Sequence, residues 1–280
     1  MKKRILAFTL TAVLGLAALT GCGTKDSSSS DSAETKEIVV GATIKPHAEI
    51  LNSDAVKTKL EEAGYTLKVV EYTDYVQPNT ATQDGSLDAN FFQHQPFLDD
   101  YNESNGNALV SVAKIHYEPL GLYAGKKTSL DDIEGSVIAV PNDSSNEARA
   151  LQMLEEAGLI KLEKDAGLHA TVKDIVENPN NLTFKEIESA QTVLVLQDVD
   201  FAVVNGNYAL DAGLDVNKDA LLVESADSKG ADLYANILVV KKGNEEKEKI
   251  KALVDALTSD EVKTFINDSY AGAVVPVNNR

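Results

Sequence analysis

The 280-residue sequence has one cysteine, no tryptophan and few basic residues, 26 against 44 acidic ones. A single cysteine can form neither an internal disulfide nor a zinc site made of several thiolates. The formal net charge of −18 argues against a nucleic-acid partner, because contacts to phosphates require clustered Lys and Arg. With 43% hydrophobic residues, the chain is long enough for one large α/β domain or for two lobes.

The first 22 residues have the layout of a bacterial export signal. Three basic residues at positions 2–4 precede an uncharged apolar run over 5–19, which is short for a membrane span. The run ends in Leu19-Thr20-Gly21-Cys22, which resembles the lipobox of bacterial lipoproteins. We therefore expect a signal peptide over residues 1–21 and acyl chains such as palmitate on Cys22. The alternative is a plain secretory signal, or a short anchor, with an incidental cysteine.

Residues 22–37 are the predicted tether. The segment after the cysteine is polar, rich in serine and without an apolar face. Such a segment cannot bury enough surface to offset the entropy cost of ordering it, so we expect it to be flexible. The folded part would then be held by its lipid on the extracytoplasmic side of the cell membrane.

Beyond the tether, apolar runs of strand length alternate with segments of helical periodicity. This alternation predicts βαβ units on parallel sheets. We interpret the extended stretch 110–123 and the apolar run 235–240 as two chain crossings between two lobes. Lobe 1 would comprise residues 38–116 and 238–280, and lobe 2 residues 117–237. The alternative is one continuous doubly wound sheet.

Three local predictions can be compared directly with the structure. Helical periodicity predicts a helix over 146–157, closed by a glycine, and one long amphipathic helix over 245–269. The apolar run 192–196 predicts a strand that precedes the one at 201–204.

In open α/β sheets, ligands bind beyond the carboxyl ends of the strands. The strands of the first lobe end at Tyr72 and at Phe91 to His94, so that lobe offers aromatic rings and a histidine. The second lobe offers Arg149, at the start of a helix, and Asn205, after a strand. A guanidinium binds a carboxylate through two hydrogen bonds, and a helix N-terminus adds backbone donors. This division suits a small amphipathic ligand whose ionic head lies in the second lobe.

The two candidates in the second lobe could instead have purely structural roles and bind no ligand. Arg149 could be a solvated helix residue paired with Glu147 or Glu155. Asn205 could serve only the turn that follows its strand.

The remaining candidates could also have purely structural roles. Phe91 and Phe92 alternate along a strand, so at least one of them belongs to the core. His94 could be an ordinary core or surface histidine. Asn236 lies in an apolar run and is either a hydrogen-bonded hinge residue or a ligand contact.

No motif for metal binding or catalysis stands out. The four histidines form no HxxxH or HxH pair, although His47, His94 and His116 fall in the first lobe and could converge. The GxSxG, phosphate-loop and cysteine-nucleophile patterns are missing. We therefore predict no catalytic residue, no cofactor and no resident metal. A zinc or manganese site and an exported hydrolase remain as alternatives.

Several motifs, in order along the chain, resemble the methionine-binding lipoproteins of bacterial ABC importers. The resemblance runs from about residue 38 to the C-terminus, and the lipobox that precedes this range agrees with it. It implies an α/β, two-lobed periplasmic-binding-protein fold, similar to type II, with two chain crossovers and a ligand cleft between the lobes. The motifs are Val40-Gly41-Ala42-Thr43, Pro46-His47-Ala48, Asp74-Tyr75-Val76-Gln77-Pro78-Asn79, Ala89-Asn90-Phe91-Phe92-Gln93-His94, His116-Tyr117-Glu118-Pro119-Leu120-Gly121-Leu122-Tyr123, Pro141-Asn142-Asp143 and Phe201-Ala202-Val203-Val204-Asn205-Gly206-Asn207-Tyr208.

The resemblance assigns roles to the matching residues. It implies that Arg149 binds the substrate carboxylate and that Asn205 and Asn236 hydrogen-bond the amino-acid head. A pocket for the thioether would be lined by Tyr72, Phe91 and His94. Family members often carry Pro-Thr-Asn and a glycine ahead of the arginine, where this chain has Ser144-Ser145-Asn146-Glu147-Ala148-Arg149, but the Asn-to-Arg spacing is kept.

The implied function is capture of methionine, with the L-isomer as the expected ligand, for a membrane permease driven by a partner ATPase. The ligand would bridge the two lobes and favour their closed state. The alternatives are a methionine-containing dipeptide, another apolar amino acid or, in a receptor of the same fold, a metal ion.

Overall fold

The computed structural model describes residues 36–225 and 229–277. The predicted signal peptide over 1–21, the lipidation of Cys22 and nearly all of the tether over 22–37 lie outside the described residues. In the described ranges, no helix is both long enough and apolar enough to cross a membrane.

The described residues form thirteen strands and ten α-helices, with short turns of other helix types between them. The strands are β1 (Glu37–Thr43), β2 (Thr66–Tyr72), β3 (Ala89–His94), β4 (Leu109–Tyr117), β5 (Gly121–Ala124), β6 (Val137–Pro141), β7 (Lys161–Leu162), β8 (Ile175–Glu177), β9 (Thr183–Ile187), β10 (Phe201–Val204), β11 (Ala220–Val223), β12 (Asn236–Lys241) and β13 (Val275–Pro276). The helices are α1 (Glu49–Asn52), α2 (Asp54–Glu62), α3 (Gln77–Asp84), α4 (Gln95–Asn105), α5 (Ser144–Glu156), α6 (Gly206–Asp211), α7 (Val216–Asp219), α8 (Lys229–Leu233), α9 (Glu248–Leu257) and α10 (Asp260–Tyr270).

Two mixed sheets organise the chain into two lobes. The first lobe is built on a six-stranded sheet of order β13-β4-β12-β3-β1-β2, and the second on a five-stranded sheet of order β11-β5-β10-β6-β9. The chain passes to the second sheet between Tyr117 and Gly121 and returns to the first between Val223 and Asn236. This confirms the predicted α/β, two-lobed fold with two crossovers, and one continuous sheet is therefore ruled out.

The sheets are parallel only in part, which differs from the prediction of parallel sheets. Strand β1 runs parallel to β2 and β3, but β12 pairs antiparallel with both β3 and β4. The reason is topological: β4 leads out towards the second lobe, and β12 carries the chain back.

Each lobe has its own apolar core. In the first lobe, Ile38 and Val40 on β1 pack with Leu253 on α9, all of them without solvent exposure. In the second lobe, Phe201 and Val203 on β10 form part of a separate cluster with α5. Each sheet is thus stabilised mainly within its own lobe, which leaves the connecting segments and the surfaces between the lobes available for function.

Helix α5 begins two residues before the predicted start. The side chain of Asp143 caps it by accepting a hydrogen bond from the backbone N–H of Asn146 at 3.0 Å. Capping at Asp143 places Arg149 in the second turn of the helix, with its side chain directed into the protein, where it is 3% exposed.

Candidate functional site

A cavity lies between the lobes, where strands β3, β6 and β10 end. Its free volume is about 20 Å³, roughly the room for the centre of one water molecule. The two lobes are therefore closed on each other. They would have to separate to admit a ligand as large as an amino acid. The lining residues are Tyr75, Phe92, Gln93, His94, Phe97, Glu118, Asn146, Arg149, Asn205, Gly206, Asn207 and Asn236.

Four of the six predicted ligand residues line this cavity. His94 comes from the first lobe at the end of β3, and Asn236 begins the returning strand β12. Arg149 on α5 and Asn205, which precedes α6, come from the second lobe. The fold thus brings His94 and Asn236, which are 142 positions apart in the sequence, to the same cavity.

The other two predicted residues, Tyr72 and Phe91, lie elsewhere. Phe91 is fully buried and packs edge-on against His47 at 4.7 Å between ring centres, whereas its neighbour Phe92 faces the cavity. Tyr72 ends the edge strand β2 and lines a hollow on the surface. Alternation along β3 and the edge position of β2 explain these placements, and Tyr75 takes the cavity position instead.

Arg149 forms a buried ion pair with Glu224, the residue that follows β11. Its Nε donates to Glu224 Oε1 at 2.9 Å and its Nη2 to Oε2, while Nη2 also donates to the backbone carbonyl of Glu118 at 2.8 Å. The remaining nitrogen, Nη1, donates to no described residue. The ring of Tyr234 lies 4.4 Å from the guanidinium carbon, which adds a cation–π contact.

The ion pair fixes the charge state of both partners. Burial opposes the charge on Arg149, but the neighbouring Glu224 carboxylate holds its pKa above the ordinary value. Burial would likewise raise the pKa of Glu224, but the guanidinium keeps it below the ordinary value. The partners considered from the sequence bond elsewhere, since Glu147 accepts from the N–H of Val172 and Glu155 from that of Leu162.

Side-chain amides line the wall of the second lobe. Asn146 Oδ1 accepts from Asn205 Nδ2 at 2.8 Å and lies 3.2 Å from His94 Nε2 across the cleft. The hydroxyl of Tyr75 donates to Asn207 Oδ1. Within the described residues, the buried atoms Asn205 Oδ1 and Asn207 Nδ2 have no hydrogen-bond partner. A buried unpartnered amide atom costs about 1–3 kcal/mol, so one acceptor and one donor stand ready for a polar ligand.

A third polar group lies where the chain leaves the first lobe, around Glu118. Glu118 Oε1 is 2.6 Å from His116 Nε2 and 3.4 Å from His47 Nε2. His47 Nε2 is also 3.0 Å from Asn236 Oδ1, and its Nδ1 is 2.7 Å from the hydroxyl of Thr43. Burial lowers the pKa of His47 to about 4 and that of His116 to about 3, so both rings are neutral near pH 7.

His47, His116 and Glu118 are the described residues that could hold a metal ion. The histidines of the first lobe thus converge in part, as the sequence allowed, while His94 is outside this group and lies beside Asn146 instead. Ligands of a tetrahedral zinc ion are about 3.3 Å apart, given metal–ligand bonds near 2.0 Å. The 2.6 Å between His116 and Glu118 is a hydrogen-bond distance, so these two groups bind each other in the arrangement described and are not spaced around a common ion.

Sequence reasoning gave no role to Glu118 or Glu224. Both belong to a set of 44 acidic residues, most of which are solvated, and neither lies in a catalytic spacing. The sequence did contain one indication that a buried acidic residue such as Glu224 was needed. Arg149 is one of two arginines beyond the export signal, and a buried guanidinium requires an anion.

The fold and the cavity together define a class, that of two-lobed proteins which enclose a small ligand between their lobes. The chain matches the family model described as NlpA lipoprotein over residues 38–278, and it belongs to that family.

Individual relatives agree with this membership. The chain is 41% identical to the methionine-binding lipoprotein MetQ of Bacillus subtilis, with 99% of this chain and 100% of the relative covered. A nutrient-binding protein of Burkholderia cenocepacia bound to methionine has a TM-score of 0.80 at 44% identity, covering 85% of this chain and 99% of the other. An ABC-transporter periplasmic substrate-binding protein of Coxiella burnetii has a TM-score of 0.79 at 38% identity, covering 86% and 100%.

Proposed function

We propose that this protein captures methionine, as the L-isomer, between its lobes and delivers it to the permease of an ABC importer. The observation that carries the proposal is the composition of the inter-lobe cavity. It combines a buried guanidinium and two unpartnered amide atoms with several aromatic rings. The relatives named above, one of them solved with methionine bound, support the same ligand.

The ionic head of the ligand is assigned to Arg149, Asn205 and Asn236. Because Nε and Nη2 of Arg149 are engaged by Glu224, the ligand carboxylate would approach Nη1. Asn205 contributes its unpartnered Oδ1. The guanidinium thus serves two carboxylates, one from the protein and one from the ligand.

The thioether is assigned to the aromatic side of the cavity. His94 keeps the role predicted for it, while Tyr72 and Phe91 give way to Tyr75 and Phe92, which line the cavity. Contacts between sulfur and aromatic rings contribute about 0.3–1.5 kcal/mol each, which favours methionine over an aliphatic side chain of the same length.

Capture requires the lobes to open and close. The enclosed volume of about 20 Å³ cannot hold an amino acid, so the ligand enters when the lobes separate. Bound between them, it contacts both lobes at once, and it would favour a closed state that encloses more volume than the arrangement described here. Binding without chemistry is the whole activity in this proposal, and the protein is not an enzyme.

Delivery requires the protein to stay near its permease and the partner ATPase. We assign this to acyl chains on Cys22 after removal of residues 1–21, with residues 22–37 as the tether on the extracytoplasmic side. The proposed lobe limits, 38–116 with 238–280 and 117–237, lie one and two residues from the crossings, since Tyr117 and the start of β12 at Asn236 belong to the first sheet.

A panel of ligands tests the proposal. The thermal midpoint of the purified protein is measured with each of the twenty L-amino acids, with D-methionine and with Gly-Met. A ligand at 100 times its Kd stabilises the native state by about 2.7 kcal/mol, so L-methionine is expected to give a clear and dominant shift. A larger shift with Gly-Met or with another amino acid would contradict methionine as the ligand.

Gly206→Ala is expected to weaken L-methionine binding at least several-fold. A Cβ at this position would lie 2.8 Å from Cβ and 3.0 Å from Oε2 of Glu118, closer than normal contact. Because Gly206 and Glu118 both line the cavity, the clash displaces the lining. Titration calorimetry measures the affinity, and circular dichroism checks that the variant is folded. Unchanged affinity in a folded variant would contradict the closed arrangement described here.

A further inference from the structure

The cavity between the lobes borders a second, open space between α3, α4 and the start of α5, which we call the outer hollow. We propose that Phe97 and Tyr75, which line both spaces, form a partition that limits the length of the ligand's side chain. The inference rests on the proposed function, since it takes the ligand to be a thioether amino acid. It concerns the far end of the side chain and not the amino-acid head.

The outer hollow has the room and the surface that a longer side chain would need. Its free volume is about 360 Å³, against about 20 Å³ in the cavity. Besides the two partition residues, its apolar wall includes Val76, which is 70% exposed, and the ring of Tyr101. An alkyl chain that passed the partition would therefore leave a tight space for a wide one and would still have apolar surface to contact.

The partition belongs to the first lobe and is held there by that lobe. Phe97 lies in the first turn of α4, and its backbone N–H donates to His94 Nδ1 at 3.3 Å. Tyr75 lies in the turn before α3, where Asp74 Oδ1 accepts from the N–H of Val76 at 2.8 Å. The rings of Phe97 and Tyr75 meet edge to face, with 5.7 Å between their centres. Because both rings are carried by one lobe, we expect the partition to persist when the lobes move apart.

Phe97 separates the limit on length from the contact between the lobes. Among the described residues, its ring contacts are with Tyr75, Phe92 and His94, all in the first lobe. Tyr75 has a further role, because its hydroxyl donates to Asn207 of the second lobe. Truncation of Phe97 therefore opens the partition and leaves that hydrogen bond between the lobes in place.

The inference specifies which ligands the partition excludes, namely S-alkyl homologues of methionine with ethyl, propyl or butyl in place of methyl. These compounds keep the amino-acid head and the sulfur and differ only in the length beyond the sulfur. An uncharged chain is the appropriate probe, because Asp100 and Asp143 also line the outer hollow. Among the described residues that line it, none is Lys or Arg, so a chain ending in a carboxylate would meet like charge.

The experiment compares L-methionine with S-butyl-L-homocysteine by titration calorimetry in the wild type and in Phe97→Ala. The wild type is expected to prefer L-methionine at least about tenfold, since extra methylenes in a filled space cost binding energy. Phe97→Ala is expected to abolish or reverse this preference. Each of the three added methylenes contributes up to about fourfold in affinity when it is buried.

Two control variants are matched to the partition. Tyr101→Ala enlarges the outer hollow at a residue that does not line the cavity, so the wild-type preference is expected to remain. Tyr75→Phe removes the hydrogen bond to Asn207 but keeps the ring, so the affinity for both ligands changes while their ratio stays within about threefold of that of the wild type.

The outcomes separate the partition from the proposed function. Equal affinity of the wild type for both ligands would overturn the partition and leave methionine capture standing. An unchanged ratio in folded Phe97→Ala, or an equally large change in Tyr101→Ala, would also overturn it. Binding of neither ligand by the wild type would overturn methionine capture, and the inference with it.

A milder variant and a structure cover loss of folding or of binding in Phe97→Ala. Phe97→Leu is expected to narrow the preference for L-methionine over L-ethionine, the ethyl homologue, at least about threefold relative to the wild type, and an unchanged ratio would contradict the partition. A crystal structure of the alanine variant, or of the leucine variant if the former does not bind, is expected to place the alkyl end at position 97, pointing to the outer hollow. An alkyl end turned towards the second lobe would overturn the inference.

Discussion

Arg149→Ala is expected to weaken the binding of L-methionine by about 2–5 kcal/mol, a loss of at least about 30-fold in affinity. The side chain is 3% exposed, so the ligand carboxylate would meet it in a desolvated site where a charge pair is strong. Titration calorimetry on the refolded variant measures the loss directly. Near-native affinity of the variant would show that Arg149 does not bind the ligand carboxylate.

The ion pair with Glu224 complicates this variant and supplies its control. Removing Arg149 alone leaves a buried carboxylate without its cation, so the variant also loses stability. The double variant Arg149→Met with Glu224→Gln removes both charges at similar volume and is expected to recover stability. It should still fail to bind L-methionine, and this separates loss of the binding group from loss of the fold.

Glu224→Gln is expected to destabilise the ligand-free protein by about 3–5 kcal/mol, because it leaves the buried guanidinium without its anion. The hydrogen bond from the backbone N–H of Leu120 can persist to the amide oxygen, so the loss reports mainly on charge. L-methionine should restore part of the stability, since its carboxylate supplies the missing anion. Urea unfolding is followed by circular dichroism, as the chain has no tryptophan.

The matched control for this prediction is Glu147→Gln. That carboxylate accepts a hydrogen bond from the N–H of Val172 and pairs with no cation among the residues that the structure describes, so a loss of about 1 kcal/mol is expected. Two results would contradict the role of the ion pair. One is a loss as small as that of the control, and the other is a destabilisation that L-methionine does not relieve.

The fold class could be predicted because it depends on patterns that extend over long segments of the sequence. Alternating strand and helix patterns and two extended crossings were enough to predict two α/β lobes. Local errors arose where hydrophobicity competed with turn chemistry. Residues 192–196 are apolar but form hydrogen-bonded turns, in which the N–H groups of Leu194 and Val195 both donate to the carbonyl of Gln191.

The long helix predicted over 245–269 is two helices for a similar reason. Ser259 adopts an extended conformation and caps α10 by accepting a hydrogen bond from the N–H of Val262. The chain therefore turns between α9 and α10, although the apolar periodicity continues across the break. A serine followed by two acids was the signal of a new helix start.

The site was predictable where a side chain follows the end of a strand or starts a helix. His94 and Asn205 satisfy that rule and line the cavity, and Arg149 reaches the cavity from the second turn of α5. The choice between Phe91 and Phe92 required the register of β3, which a sequence of six consecutive buried residues does not reveal. Glu118 and Glu224 gain their importance from burial beside particular partners, and burial of a carboxylate has no sequence pattern.

Titration of L-methionine into protein that lacks residues 1–22, unfolded and refolded to strip carried-over ligand, tests the central claim most directly. Binding of one molecule per chain, abolished by the stable Arg149→Met and Glu224→Gln double variant, is the predicted result. The absence of binding heat at several temperatures, in protein whose circular dichroism shows it to be folded, would contradict methionine capture and leave only the two-lobed fold.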